Sequence, residues 1–226
     1  MHDEDRQSFF ARLEPVLSPK ELLLVDLAYQ LAKFNHRWQC RRQVDGSGDA
    51  VRYFEHLRGT ALVLIDEVGC IKTDLVITAL LHDSLEDTRD LTAAKLECWF
   101  QEFGPNVARR VRLLSKNPEA GYVERLNLHA DWGTLLIKAC DNAHNLRSLE
   151  RLPRDFQIKQ GNKAYDHYLP LFERLVAITP SSQAGVRSVI EDIKRLATHY
   201  KNLPRTLTGD SDGFYDPVGR APKDED

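Results

Sequence analysis

Ala79-Leu80-Leu81-His82-Asp83-Ser84-Leu85-Glu86-Asp87-Thr88 closes an apolar run that opens at Leu75, and its reading decides the kind of fold this chain can have. An adjacent histidine and aspartate at the end of an apolar helical run set one neutral nitrogen and one carboxylate oxygen where a divalent cation can bridge them. A carboxylate drawn into apolar surroundings requires such a partner, because an unpaired buried charge is costly. Helical spacing puts Glu86 four residues after His82 and Asp87 four after Asp83, so the pattern predicts four polar groups converging on one spot.

Around that stretch the pattern is helix after helix. Ser18-Pro19-Lys20-Glu21 combines an N-cap serine, a proline at the first helical position and a glutamate three residues after the cap, opening a periodic segment through Phe34. Residues 39–49 are polar and contain glycine, which predicts a loop, followed by a helix through about His56 to Glu67. Thr73 is placed to cap the helix carrying His82 and Asp83, Thr92 the next, and Gly104 to end that one before Pro105 starts another. Further helices are expected over about 133–150, 163–176 and 181–200, and no segment alternates as a strand does. The expected fold is all-α, with a domain over 1–203 and a flexible C-terminal tail over 204–226, where Gly, Asp, Pro and Lys replace apolar residues. No repeat or heptad seam indicates an oligomeric state.

With 226 residues, 42% of them hydrophobic and 29% charged, the chain suffices for one globular domain with a substantial core. A formal charge of −3 argues against a nucleic-acid polymer as partner and leaves a small anionic ligand as the expected one. No apolar run is long enough to span a bilayer, and the acidic start Met1-His2-Asp3-Glu4-Asp5 lacks the basic and apolar regions of a signal peptide, so no membrane association and a cytoplasmic location are expected. Cys40, Cys70, Cys98 and Cys140 are scattered, which suggests neither a disulfide framework nor a zinc knuckle.

A second stripe completes the candidate site. Lys138, Asp141, Asn145 and Ser148 recur at helical spacing on one face. Such a stripe ordinarily faces solvent. Here Leu135, Leu136, Ile137, Ala139, Cys140, Ala143 and Leu146 surround much of the helix, so the stripe is expected to face an interior cleft, where Asp141 needs a cation. His56, on the preceding helix, would ordinarily be a core or surface histidine. Together with His82, Asp83 and Asp141 it makes a nitrogen/oxygen set suited to a transition metal.

The ordered series Tyr53-x-x-His56, then Ala79 to Thr88, then Leu136-Ile137-Lys138-Ala139-x-Asp141-x-x-His144-Asn145-x-Arg147-Ser148 resembles the hydrolase domain of RelA/SpoT homologues, in the HD-domain superfamily. The resemblance runs from about Leu27 to Val176 and includes Phe103-Gly104-x-x-Val107 and Tyr168-Leu169-Pro170-Leu171. It implies a helical bundle with the metal site between helices, Mn2+ as cofactor, and His56, His82, Asp83 and Asp141 as its ligands. It further implies 3′-pyrophosphohydrolysis of guanosine tetra- and pentaphosphate, with Glu86 and Asp87 assisting the attacking water. Arg41 and Arg42 match two basic residues facing the nucleotide, Asn145 and Ser148 match positions near its ribose or phosphate, and Lys138 matches too and is expected with them among the substrate-binding residues, a structural role being the alternative. His144 recurs in the pattern at a different rotation from Asp141, as a core or supporting residue.

Three positions depart from the family pattern: Asn142 stands where an arginine is frequent, Arg52 precedes Tyr53 where a proline is frequent, and Trp38 replaces a glycine. None removes a ligand, but all fall around the nucleotide pocket. Related activities, on an adenosine alarmone or the 2′-phosphate of NADPH, therefore stand as alternatives, as does a catalytically silent nucleotide sensor. The length leaves no room for a nucleotide-synthesising domain of about 100 residues or more, so a stand-alone hydrolase is expected.

Overall fold

The computed structural model describes residues 5–44, 50–87, 91–181 and 183–204; the side chains of 42–44 and of 87 lie outside the described residues. The flexible tail expected over 204–226 lies almost wholly outside them.

A short α1 (Arg6–Ala11) leads into α2 (Pro19–Asn35). The capping box forms as the sequence predicts: the Ser18 side chain accepts from Glu21 N, and the Glu21 carboxylate accepts from Ser18 N at 2.9 Å. Its other oxygen accepts from the Thr73 hydroxyl at 2.7 Å, which ties the start of α2 to the start of α4 (Thr73–Leu81). Thr73 is thus a cross-link between helices and not the cap expected of it; the N-cap residue is Lys72, with no side-chain cap bond. Between them, α3 (Tyr53–Leu62) continues into a π-helical turn, Val63–Glu67.

The expected loop over 39–49 is a correction. Cys40–Val44 (β1) and Ala50–Arg52 (β2) pair antiparallel, with Cys40 opposite Arg52 and Val44 opposite Ala50. The ribbon is continued by Tyr53 N donating to Gln39 O at 2.9 Å. Neither strand alternates in polarity, and it is backbone pairing between the two that makes the ribbon.

After α4 the chain turns at His82 and Asp83 into the single helical turn α5 (Ser84–Asp87). Thr92 caps α6 (Ala93–Trp99) as expected, and Gly104 begins α7 (Gly104–Leu114) instead of ending α6, a 3-10 turn over Gln101–Phe103 lying between them. α8 (Tyr122–His129) precedes α9 (Trp132–Arg147). α4 and α9 are the inner helices: Leu75 to Leu81 of one and Gly133 to Ala143 of the other are buried without interruption. α9 packs on α3, α4, α7, α11 (Leu169–Ile178) and α12 (Ala184–Lys201), so a polar side chain on α9 is either paired or facing a cleft.

The single helix expected over 163–176 is a π-helical turn over Ala164–Tyr168 followed by α11, and a helix that was not expected, α10 (Arg154–Lys163), precedes them. α10 had little apolar signal because only Ile158 and Gly161 are buried along it. Gly161 is required by close approach: a Cβ there would lie 2.6 Å from Lys201 N on α12. No described helix is long and apolar enough to cross a membrane.

Asp131 fixes the start of α9. Its carboxylate accepts from Thr134 N at 2.7 Å and pairs with Arg109 and Arg110, the latter also bridging to Asp74 on α4. Against partial burial, the Thr134 donors and the arginines hold its carboxyl down at about 2, from 3.8. Asp131→Ala is expected to cost about 1–2 kcal/mol of stability at neutral pH, and Asp131→Asn, which keeps a cap acceptor, less. Because the folded-state pKa is depressed, the advantage over Ala is present above pH 3.8 and is lost as the pH falls through about 2. Urea unfolding of both variants across that range checks the magnitude and the sign.

Candidate active site

Three helices bring four side chains together. α3 supplies His56, the turn after α4 supplies His82 and Asp83, and α9 supplies Asp141, all at most 7% exposed. His56 Nε2 lies 3.2 Å from Asp141 Oδ1 and 3.7 Å from Asp83 Oδ2; His82 Nε2 lies 3.1 Å from Asp83 Oδ2 and 3.6 Å from Asp141 Oδ1. His56, His82 and Asp83 each offer a ligand atom within 4.8 Å of the others.

The surroundings aim these atoms inward. His82 Nδ1 donates to the Ala79 carbonyl at 2.8 Å, which leaves Nε2 as the ring atom that faces the two carboxylates. His82 Nε2 is buried and makes no hydrogen bond of good geometry. The Tyr53 hydroxyl donates to Asp83 Oδ2 at 2.7 Å, its ring stacked on His36 at 5.0 Å between centroids. Asp141 accepts from Lys138 Nζ at 2.8 Å and from Asn145 Nδ2 at 2.6 Å. An unmet buried nitrogen facing two carboxylates, with a second imidazole beside it, fits a divalent cation by donor type and by spacing.

The electrostatics agree with a centre built for positive charge. Burial pushes His56 down to about 4, with Arg41 adding to the shift. Against the cost of burial, the Asp83 and Asp141 carboxylates raise His82 to about 10. Both aspartates are held well below the usual carboxylate range despite burial, Asp83 chiefly by His82 and Asp141 chiefly by Lys138. His144 is pushed well down by burial and by His56.

This cluster opens into a cleft of about 790 Å3, a volume suited to a nucleotide. Arg41, Glu86, Lys138 and Asn145 line it with His56, Asp83 and Asp141. Arg41 Nη2 donates to Asn145 Oδ1 at 2.7 Å, so Asn145 joins a candidate ligand to an arginine of the β-ribbon. Glu86 is not stacked over His82 by helical register, because α4 ends at Leu81 and the turn resets the rotation. Its carboxylate instead accepts from Lys116 N at 2.9 Å, with Lys116 Nζ at 3.5 Å. Ser148 Oγ donates to the Asn145 carbonyl at 2.8 Å, at the end of α9, and is not among the cleft-lining residues. The Arg42 and Asp87 side chains lie outside the described residues.

Several lining residues carried no sequence signal. Lys116 follows α7 as a lone lysine in a connection; against burial and the Lys138 charge, Asp83 and Glu86 keep it protonated. Leu146, Leu149, Leu152 and Phe156 form an apolar strip from α9 into α10. Lys159 and Lys163, one turn apart on α10, also line the cleft, and among the described residues neither makes an ion pair or a side-chain hydrogen bond. Their spacing of four is a signal, but it is informative only once α10 is recognised as a helix.

No family model matches the chain. It is 35% identical over 177 residues to human guanosine-3′,5′-bis(diphosphate) 3′-pyrophosphohydrolase MESH1, covering 75% of this chain and 90% of that protein. It is 30% identical over 191 residues to the GTP pyrophosphokinase rsh of Brucella melitensis and 31% identical over 217 residues to a probable GTP pyrophosphokinase of Mycobacterium leprae. Those matches cover 79% and 87% of this chain but 23% and 25% of the relatives, so it spans about a quarter of their length. A solved structure described as a metazoan orthologue of SpoT that hydrolyses ppGpp superposes with a TM-score of 0.59 at 25% identity, over 79% of this chain and 96% of that one. A helical domain with this buried His/Asp cluster and these likenesses is an HD-type hydrolase, a class whose chemistry implies a divalent metal. Within that class, the chain belongs to the RelA/SpoT-type hydrolase family.

Proposed function

We propose that this chain is a Mn2+-dependent 3′-pyrophosphohydrolase of guanosine tetra- and pentaphosphate, yielding GDP or GTP and pyrophosphate. The observation that carries the reading is the buried Nε2 of His82, which makes no hydrogen bond of good geometry and faces Asp83 and Asp141, two carboxylates that line a cleft together with five cationic side chains. The activities for which the human and metazoan relatives are named support the substrate. His56, His82, Asp83 and Asp141 would hold the metal. A cation held there would supply a lowered pKa for bound water and neutralisation of charge on the phosphoryl group.

The protein's own groups do the rest. Water oxygen bonds to the phosphorus carried by O3′, the P–O3′ bond breaks, and O3′ leaves with a proton while pyrophosphate departs. Glu86, anchored by Lys116, and Asp87 orient the water and take its proton. Arg41, Lys116, Lys159 and Lys163, which line the cleft, meet the phosphates, a set of cations that suits a substrate with phosphates at two positions, and Arg42 joins them on the family resemblance alone. Lys138 steadies Asp141, Asn145 couples that carboxylate to Arg41, and the strip from Leu146 to Phe156 takes the base or ribose.

The deciding experiment incubates metal-stripped protein and Mn2+ with guanosine tetraphosphate, its adenosine analogue and NADPH, resolving products by anion exchange. Pyrophosphate and GDP from the first are expected. Orthophosphate from NADPH alone, or pyrophosphate from the adenosine analogue alone, would move the substrate while keeping the site. No product from any of the three would favour a silent nucleotide sensor.

A further inference from the structure

α2 carries apolar residues on both of its faces. Leu24, Val25, Ala28, Tyr29 and Ala32 are buried against the rest of the domain. On the opposite side Leu23, Leu27 and Phe34 are 71, 37 and 57% exposed, and Trp38, in the turn that follows the helix, is 74% exposed. Spacings of four and seven put the first three within about 40° of arc along about 16 Å of helix. The Arg37 guanidinium lies 3.9 Å from the Phe34 ring centroid and 5.7 Å from that of Trp38, which joins the two rings into one surface. Single exposed apolar side chains are ordinary, whereas a contiguous stripe marks a place of contact.

We propose that this stripe is the interface of a homodimer in which α2 packs antiparallel against α2 of a second copy; the inference is independent of the metal and substrate readings above. A two-fold contact requires a surface that is complementary to itself. Leu23 and Trp38 lie equally far along the chain on either side of the Gln30–Leu31 bond, and so do Leu27 and Phe34. An antiparallel pair centred there sets Leu23 against Trp38 of the partner subunit and Leu27 against Phe34 of the partner subunit, and the symmetry repeats each contact. Gln30, the exposed polar residue between them, meets its own counterpart near the axis.

The charges beside the stripe agree with a second copy. Asp26 and Lys33 stand seven residues apart on one flank, so an antiparallel pair brings each within reach of the other across the axis, as flanking charges pair in helical dimers. Lys20, at the end of the stripe, is already paired with Glu102 at 2.8 Å. A helix face built for an anionic membrane would carry unbalanced cations instead. The size also fits: Phe and Trp carry about 150–250 Å2 each, more than half of it exposed here, and the two leucines enlarge the patch. Two such patches with their polar rims bury on the order of 1,000 Å2, the lower end for a specific contact, so the dimer is expected to be reversible with a micromolar Kd.

Sedimentation equilibrium of the full chain, from low to high micromolar concentration, is expected to show a monomer–dimer equilibrium. Leu23→Glu and Phe34→Glu should each weaken it by more than about 100-fold, because the symmetry buries every added charge twice. Both side chains are exposed, so the Tm of the monomer should hardly change, which separates lost contact from lost fold. Lys33→Glu and Asp26→Lys each set like charges across the axis and should weaken association roughly 10-fold, while an equimolar mixture of the two restores it, since opposite charges then face each other at both places. A chain that stays monomeric throughout, association that survives Leu23→Glu or Phe34→Glu, or a mixture that associates no better than its components overturns the proposal. So does a monomeric chain that binds phosphatidylserine vesicles through Phe34, which would give the stripe to a membrane.

Discussion

Asp83→Ala is expected to show no stabilisation by Mn2+ and to lose ppGpp turnover by more than about 100-fold, the upper end of what removing even an outer partner of a ligand costs. For the wild type, metal at 100 times its Kd adds about 2.7 kcal/mol to the folded state. In a chain of this size that raises Tm by roughly 5–10 °C. The metal-free variant should still fold. Asp83 accepts from the Tyr53 hydroxyl and faces His82 Nε2 at 3.1 Å, so its loss leaves that hydroxyl without its acceptor and removes a carboxylate beside the ring, at a cost of about 1–3 kcal/mol. Part of that is offset because Asp141, a buried like charge, no longer opposes it. Thermal unfolding with and without Mn2+, alongside turnover, separates these effects. A full metal-induced rise in the variant, or wild-type turnover in the presence of a chelator, would sink the assignment.

How much of this was legible in the sequence follows from where each signal resides. The capping box at Ser18 and Glu21 and the buried run ending at His82 are local patterns, and the structure has them where the pattern puts them. The stripe Lys138, Asp141, Asn145 was legible because apolar neighbours on both sides left it no route to solvent. What stayed hidden depends on tertiary contact. α10 buries too little apolar surface to show a period, and its Gly161, which reads as a helix breaker, is explained by α12 lying against it. The β-ribbon is held by backbone pairing, which leaves no mark on side-chain polarity. Glu86 illustrates the limit of spacing arguments: four residues after His82 means one face only while the helix continues, and here a turn intervenes. Its actual partner, Lys116, comes from a connection thirty residues away that no local pattern links to it.

Lys138→Met should separate a structural from a substrate-binding role for the lysine. Lys138 and Asp141 are each 5% exposed and 2.8 Å apart, and both partners shift in the direction of a retained ion pair, the lysine well up and the aspartate well down, despite burial. Nζ also lies 4.8 Å from the centroid of the Tyr168 ring. Methionine keeps the length and apolar stem but leaves the carboxylate without its cation, a loss that costs about 3–5 kcal/mol at buried pairs. The metal-free variant should therefore unfold roughly 6–20 °C below the wild type. Mn2+ should restore more than it adds to the wild type, because a cation on the other side of Asp141 then meets an otherwise unpaired charge and no longer competes with the ammonium. If Lys138 instead served mainly to hold substrate phosphate, the metal-free Tm would hardly move and the change would appear as a raised KM. Unfolding curves of both proteins with and without Mn2+, read beside KM, distinguish the two, and an unchanged Tm would remove the lysine from the scaffold of the metal centre.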